Sequence, residues 1–92
     1  MPVIARRFLI RGRVQGVGFR YFAQRSAARH QVRGFVRNLE DGRVEAWAQG
    51  DAGSVKDFGE DLAAGPQYSV VEDIDEEVVD PDKRYSAFRI ER

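Results

Sequence analysis

Gly12-Arg13-Val14-Gln15-Gly16-Val17-Gly18-Phe19-Arg20 joins two different periodicities. Upstream of it, Phe8 and Ile10 alternate as in a strand. Downstream, Phe19, Phe22, Ala23 and Ala27 recur at helical spacing. The stretch is therefore a strand-to-helix turn that holds three glycines and ends in an arginine. Glycines let such a turn aim several backbone N–H groups at one point. The helix N-terminus that follows favours an anion through its free N–H groups and its dipole. Arg20 adds a planar fork that suits a phosphate. Composition alone fits two readings, an anion cradle or a tight turn with a solvated arginine.

Known glycine motifs narrow the first reading. The dinucleotide fingerprint fails because Tyr21 stands where its third glycine belongs. The P-loop fails because no Lys-Ser or Lys-Thr pair closes the turn. The cysteine-phosphatase spacing is present, but Val14 occupies the nucleophile's position and the chain has no cysteine. What is left is a cradle with an arginine and no built-in nucleophile.

The 92 residues suit one domain, residues 1–92. A 42% hydrophobic and 33% charged composition fits a soluble globular protein. No apolar run is long enough to span a membrane, and no secretory pattern precedes the first strand. Without cysteine there are no disulfides or thiolate metal sites, which fits the cytoplasm. The net charge of zero hides an asymmetry. Residues 1–46 carry ten Arg against three acidic residues, a net +7; residues 47–92 carry five basic against twelve acidic, a net −7. The basic half contains the cradle and can attract an anion. Equally, the halves can be solvated faces that balance each other.

Pattern and turn chemistry place the other elements. The first strand runs from about Ala5 to Arg13 and the first helix from Phe19 to Arg29. Val32, Gly34, Val36 and Asn38 share one parity, as do Val44, Ala46 and Ala48. A three-residue loop, Glu40-Asp41-Gly42, sets Leu39 opposite Arg43 and Val36 opposite Ala46, keeping apolar positions on one face. That register also sets Phe35 beside Trp47 on the other face, as an exposed contact or a small second cluster. Asp51 is the expected N-cap of a second helix with stripe Val55, Phe58 and Leu62, ended by Gly65-Pro66. Val71 and Ile74 mark a strand with a bulge, its acidic residues Glu72 to Glu77 on the solvent face of a sheet edge. Asp80 to Lys83 reads as a turn, and Ser86, Phe88 and Ile90 as inward positions of a closing strand. The order β-α-β-β-α-β implies an α+β, ferredoxin-like sandwich: an antiparallel sheet of order 4-1-3-2 with two helices on one face.

In that topology the first two strands point the same way, so the cradle and Asn38 lie on one sheet edge. One strand intervenes, which puts them about 10 Å apart at the backbone. A hairpin-end asparagine also commonly satisfies local backbone groups. Neither Arg20 nor Asn38 is a general base near neutral pH. The substrate must need little help from one, a condition an acyl phosphate meets through its carboxylate leaving group. His30, the only histidine, falls at the far end of the first helix, where a charge–dipole or surface role suits it.

These residues resemble those of the acylphosphatases. GRVQGVGFR is similar to that family's signature loop, and GFVRNLEDGRVEAWAQG to its second signature region. The resemblance spans nearly the whole chain; Phe35 stands where many members have Trp, and residues 67–85 match loosely. It implies that the amides of Gln15, Gly16, Val17, Gly18, Phe19 and Arg20 bind phosphate, that Arg20 contacts it through its side chain, and that Asn38 orients the nucleophilic water. The implied reaction is hydrolysis of a small acyl phosphate to a carboxylate and inorganic phosphate. No cofactor, metal, nucleic acid or membrane partner is expected, and the protein is expected to be monomeric. Similar domains begin larger hydrogenase-maturation proteins; a chain of this length favours a free-standing enzyme. The alternative is a ferredoxin-like module that binds nucleic acid or an anion without turnover. Arg33-Gly34-Phe35-Val36 echoes an RNA-recognition motif, but Arg37 replaces its second aromatic.

Overall fold

Alternation over residues 3–13 and helical spacing over 19–30 give the first two elements of the computed structural model, which describes residues 2–92. Met1, the first residue of the expected domain, lies outside the described residues. The elements are β1 (Val3–Arg13), α1 (Phe19–His30), β2 (Arg33–Asn38), β3 (Val44–Asp51), α2 (Ala52–Ala64), β4 (Val70–Val79) and β5 (Phe88–Glu91). The sheet order is β4-β1-β3-β2-β5. The ferredoxin-like order 4-1-3-2 is thus present, with a fifth strand added outside β2. The sheet is mixed rather than wholly antiparallel, because β5 runs parallel to β2.

The helix-side face holds the core. Phe8 and Ile10 of β1, Val36 of β2, and Val44, Ala46 and Ala48 of β3 are buried with Phe19, Ala23 and Ala27 of α1 and Val55, Phe58 and Leu62 of α2. Phe8 meets Phe58 edge to face at 6.0 Å between ring centroids. Gly59 lowers the helix propensity of α2, yet a Cβ there would sit 3.0 Å from the Phe8 ring. Its absence lets α2 lie close on β1. The hairpin has the expected register, with Val36 opposite Ala46, Phe35 opposite Trp47, and Leu39 N–H donating to Arg43 O at 2.8 Å. Asp51 is the N-cap residue of α2, but its side chain makes no capping hydrogen bond. The bulge between Val71 and Ile74 is present: Arg11 pairs with Asp73 and Gly12 with Val71, leaving Glu72 without a partner in the ladder.

The segment after β4 departs from a simple turn. Because β4 and β5 lie at opposite edges, residues 80–87 must cross four strand spacings, about 19 Å. Eight extended residues reach about 26 Å, enough for the crossing to include a turn, in which Tyr85 N–H donates to Asp82 O at 3.2 Å. It runs over the face opposite the helices. Gln49 donates to Asp82 O at 2.9 Å and Tyr85 O at 3.2 Å, and accepts from Asp82 N–H at 2.8 Å. Tyr85 lies 5.1 Å from Trp47 and 5.6 Å from Phe35, whose rings stack on each other. The Phe35–Trp47 pair is therefore a second-face cluster under Tyr85. Ser86 is exposed, so only Phe88 and Ile90 of the closing strand pack inward.

The same face carries a chain of ion pairs. Glu45 is buried between Arg7 and Arg37, and Arg7 also reaches Glu77 of β4 at 3.2 Å. Burial alone would raise the Glu45 carboxyl above its ordinary 4.5, but hydrogen bonds from Arg7 and Arg37 outweigh it and hold the carboxyl below that value. A depressed folded-state value stabilises the protein above the unfolded value, and that contribution is lost as pH falls through the folded one.

Two outcomes follow from this packing. Gly34 has φ 147°, and an added Cβ would lie 1.8 Å from Trp47 O. Gly34→Ala is expected to lose about 2–4 kcal/mol, read as a lower urea midpoint with little change in slope. Glu45→Gln is expected to lose about 2–3 kcal/mol at neutral pH, since both arginines remain partly solvated. Its stability, followed by urea unfolding from about pH 6 to pH 3, declines less than that of the parent.

Candidate active site

The cradle is the link between β1 and α1. Val14 is buried and anchors it to the core, while Gly16 and Gly18 are exposed at φ 74° and 77°. Nothing lies within 4 Å of the position a Cβ would take on either glycine. The left-handed backbone, not crowding, is what requires glycine there. Gly18 is the N-cap of α1, with no side-chain cap and no acidic residue in the first turn. The first helical bond is Phe22 N–H to Gly18 O at 3.0 Å. The amides of Phe19, Arg20 and Tyr21 are left without intrahelical acceptors, as at any helix start. Gln15, Gly16, Val17, Gly18, Phe19 and Arg20 thus form one continuous loop-to-helix segment, with Phe19 buried in the core.

Asn38 ends β2. Val44 pairs with Asn38 on one side and with Ile10 on the other, so one strand separates Asn38 from β1. Asn38 Oδ1 is buried and has no hydrogen-bond partner. An unpaired buried carbonyl costs about 1–3 kcal/mol, and such groups call for a missing donor. The loop and hairpin are joined directly by Gln15, whose Nε2 donates to Leu39 O at 2.8 Å and Arg43 O at 3.0 Å. This side-chain bridge was not foreseen, because its acceptors are backbone carbonyls and carry no residue signature.

Arg20 lies in the first turn of α1. Its Nη1 makes a long 3.5 Å hydrogen bond to Glu91 O at the end of β5. Since β1, β2 and β5 run parallel, their C-terminal ends share one edge, and the Arg20 contact follows from that. Six arginines of the basic half are ion-paired: Arg6, Arg7, Arg11, Arg29, Arg37 and Arg43. Among the described residues the other four, Arg13, Arg20, Arg25 and Arg33, have no ion pair, and the first two flank the cradle. The pairs that join the two halves are Arg6–Glu76, Arg7–Glu77, Arg11–Asp73 and the Arg29 and His30 contacts to Asp61.

Other candidate chemistry resolves into structure. The acidic residues of β4 face β1, with Glu76, Glu77 and Asp73 paired to Arg6, Arg7 and Arg11. Among the described residues no three metal-ligating side chains gather, and no helix is long and apolar enough to cross a membrane. Trp47, only 9% exposed beneath Tyr85, presents no free ring on which a base can stack.

The family model described as Acylphosphatase matches residues 6–90. The chain belongs to the acylphosphatase family. An acylphosphatase of Solibacter usitatus (strain Ellin6076) is 45% identical over 89 residues, covering 97% of this chain and 92% of its own. The crystal structure of acylphosphatase from Bacillus subtilis superposes with a TM-score of 0.92 at 37% identity, covering 97% of this chain and 99% of that one. Full-length HypF, solved in a phosphate- and nucleotide-bound form, superposes with a TM-score of 0.87 at 28% identity, covering 99% of this chain and 12% of that one. The acylphosphatase fold therefore also occurs as a small part of a much longer protein.

His30 lies at the end of α1 remote from the cradle, as expected, but it is not merely at the surface. Its Nε2 donates to Asp61 Oδ2 at 3.1 Å, and the same oxygen accepts from buried Ser26 at 2.6 Å and from Arg29 at 2.6 Å. Burial would raise the Asp61 carboxyl; hydrogen bonds from Ser26, Arg29 and His30 together hold it below its ordinary 3.8. The cluster ties α1 to α2. His30→Ala is expected to cost about 1 kcal/mol in stability and to leave the hydrolysis rate within about twofold of the parent, checked by thermal unfolding beside a steady-state assay.

Proposed function

We propose that this acylphosphatase hydrolyses its substrate by positioning a phosphoryl group against a water, with no covalent intermediate. The observation that carries the reading is the orphan Oδ1 of Asn38, buried on the sheet edge that also bears the cradle. The amides of residues 15–20 and the Arg20 guanidinium bind the three peripheral oxygens of the phosphoryl group. Arg20 spends one N–H on Glu91 O, leaving the rest of its fork for the substrate. The Asn38 carboxamide hydrogen-bonds the water and holds it in line with the bond that breaks.

The reaction needs no strong base. Water oxygen forms the new P–O bond, and the bond from phosphorus to the carboxylate oxygen breaks. The carboxylate leaves as an anion, and the water's proton passes to a phosphoryl oxygen. In a loose transition state most charge resides on those oxygens, where preorganised donors act. Holding the two reactants in line supplies a further share of the barrier reduction. The absence of cysteine suits a reducing compartment, and we place the enzyme in the cytoplasm, acting as a monomeric single domain on a small acyl phosphate.

Benzoyl phosphate hydrolysis without added metal tests the assignment. Arg20→Ala is expected to lose about 100- to 1000-fold in kcat/KM, and Arg20→Lys most of that, since a point charge does not replace a fork. Asn38→Ala is expected to lose about 100-fold in kcat with KM little changed. An inactive parent, or full activity in Arg20→Ala, would overturn the mechanism.

A further inference from the structure

We infer that the Gln15 side chain is a positioning residue that holds Asn38 in register with the phosphate cradle. The inference deepens the reading above and rests on it, because it assigns Gln15 a task that exists only if Asn38 orients the water.

The Gln15 amide has two N–H groups, and they end on opposite sides of the hairpin loop. One reaches Leu39 O, one peptide unit beyond Asn38; the other reaches Arg43 O, opposite Leu39 and just before Val44. The Gln15 backbone belongs to the cradle, so a single residue spans both halves of the site. Among the described residues, Gln15 makes the only side-chain hydrogen bonds between the glycine-rich loop and the hairpin end. Gly16 and Gly18 leave the loop intrinsically loose. A fixed distance between phosphate and water therefore needs a tether at this place.

The same hydrogen bonds separate positioning from folding. Leu39 O also accepts from Gly42 N–H at 3.2 Å, and Arg43 O also accepts from Leu39 N–H at 2.8 Å. Removing the Gln15 donors leaves neither carbonyl orphaned, so the hairpin keeps its own closure. The loss falls on the alignment between two elements and not on either element. Nor does it remove the Gln15 backbone N–H from the cradle, so phosphate binding persists. The signature is a fall in kcat with phosphate affinity retained. A displacement on the order of 1 Å between reacting groups suffices for a large loss.

The test uses Gln15→Ala and Gln15→Met, the latter keeping an unbranched stem while removing both donors. Each is measured alone and combined with Asn38→Ala, for benzoyl phosphate kcat and for inhibition by inorganic phosphate. The expected result is a fall of about 10- to 100-fold in kcat with the phosphate inhibition constant within about threefold of the parent. In the Asn38→Ala background, replacing Gln15 is expected to cost about twofold or less, because the group it aligns is gone. Parental kcat in Gln15→Met overturns the inference. So does a full, additive loss in the double variant, or a phosphate inhibition constant that rises in step with the fall in kcat. If Asn38→Ala alone leaves kcat unchanged, the assignment of the water-orienting role fails first, and the two failures are distinguished.

Discussion

Val44 of β3 pairs with Ile10 of β1 on one side and Asn38 of β2 on the other. That row sets the geometry of everything at this end of the molecule. Because β3 is antiparallel to both neighbours, β1 and β2 run parallel and end side by side, about 10 Å apart. β1 continues past the row into the cradle, while β2 ends on the asparagine. A one-residue slip of the hairpin would turn Asn38 to the opposite face and bury charged residues in the core. The packing of Val36, Val44 and Ala46 against the helices thus secures the site as well as the fold.

Charge is distributed to the same effect. The basic first half and acidic second half meet mainly where β1 lies along β4, and at Asp61 between the helices. On the face opposite the helices, Glu45 is held by two arginines, and Tyr85 covers the aromatic pair beside it. This face is closed by internal contacts. The cradle end is different: Arg20 has only a long bond to a backbone carbonyl, and Asn38 Oδ1 has none. An orphan buried acceptor carries some cost to the fold.

Several features were legible because they are local. Helical stripes gave α1 and α2, alternation gave the strands, and the three-residue loop with Gly42 at φ 95° gave the hairpin register. The strand-to-helix turn was legible from its glycines, two of which, Gly16 and Gly18, take positive φ before α1. Less was readable after residue 65. The acidic strand and its bulge were correctly placed, and the turn expected at Asp80 to Lys83 falls at Asp82–Tyr85, but the crossing to the far edge of the sheet was not expected. Its destination depends on which sheet edge is free, and no nearby residue encodes that. Asp51 was rightly a cap position, yet its side chain makes no cap bond, since residue type sets a preference and not a rotamer. The Ser26 and His30 contacts to Asp61 were missed because they join residues more than thirty positions apart.

Residue identity and spacing by themselves determined a glycine-rich strand-to-helix turn, an asparagine at the end of β2, and the topology that brings the two to one edge. These follow from backbone preference, side-chain chemistry and the handedness of crossover connections. Only the tertiary structure decided how the two halves are held together. The Gln15 bridge ends on backbone carbonyls of the hairpin, and Arg20 leans on the carbonyl of Glu91. Every residue carries such a carbonyl, so no residue type marks the acceptor. That buried Asn38 Oδ1 meets no donor likewise depends on which groups pack around it, which no single stretch of chain contains.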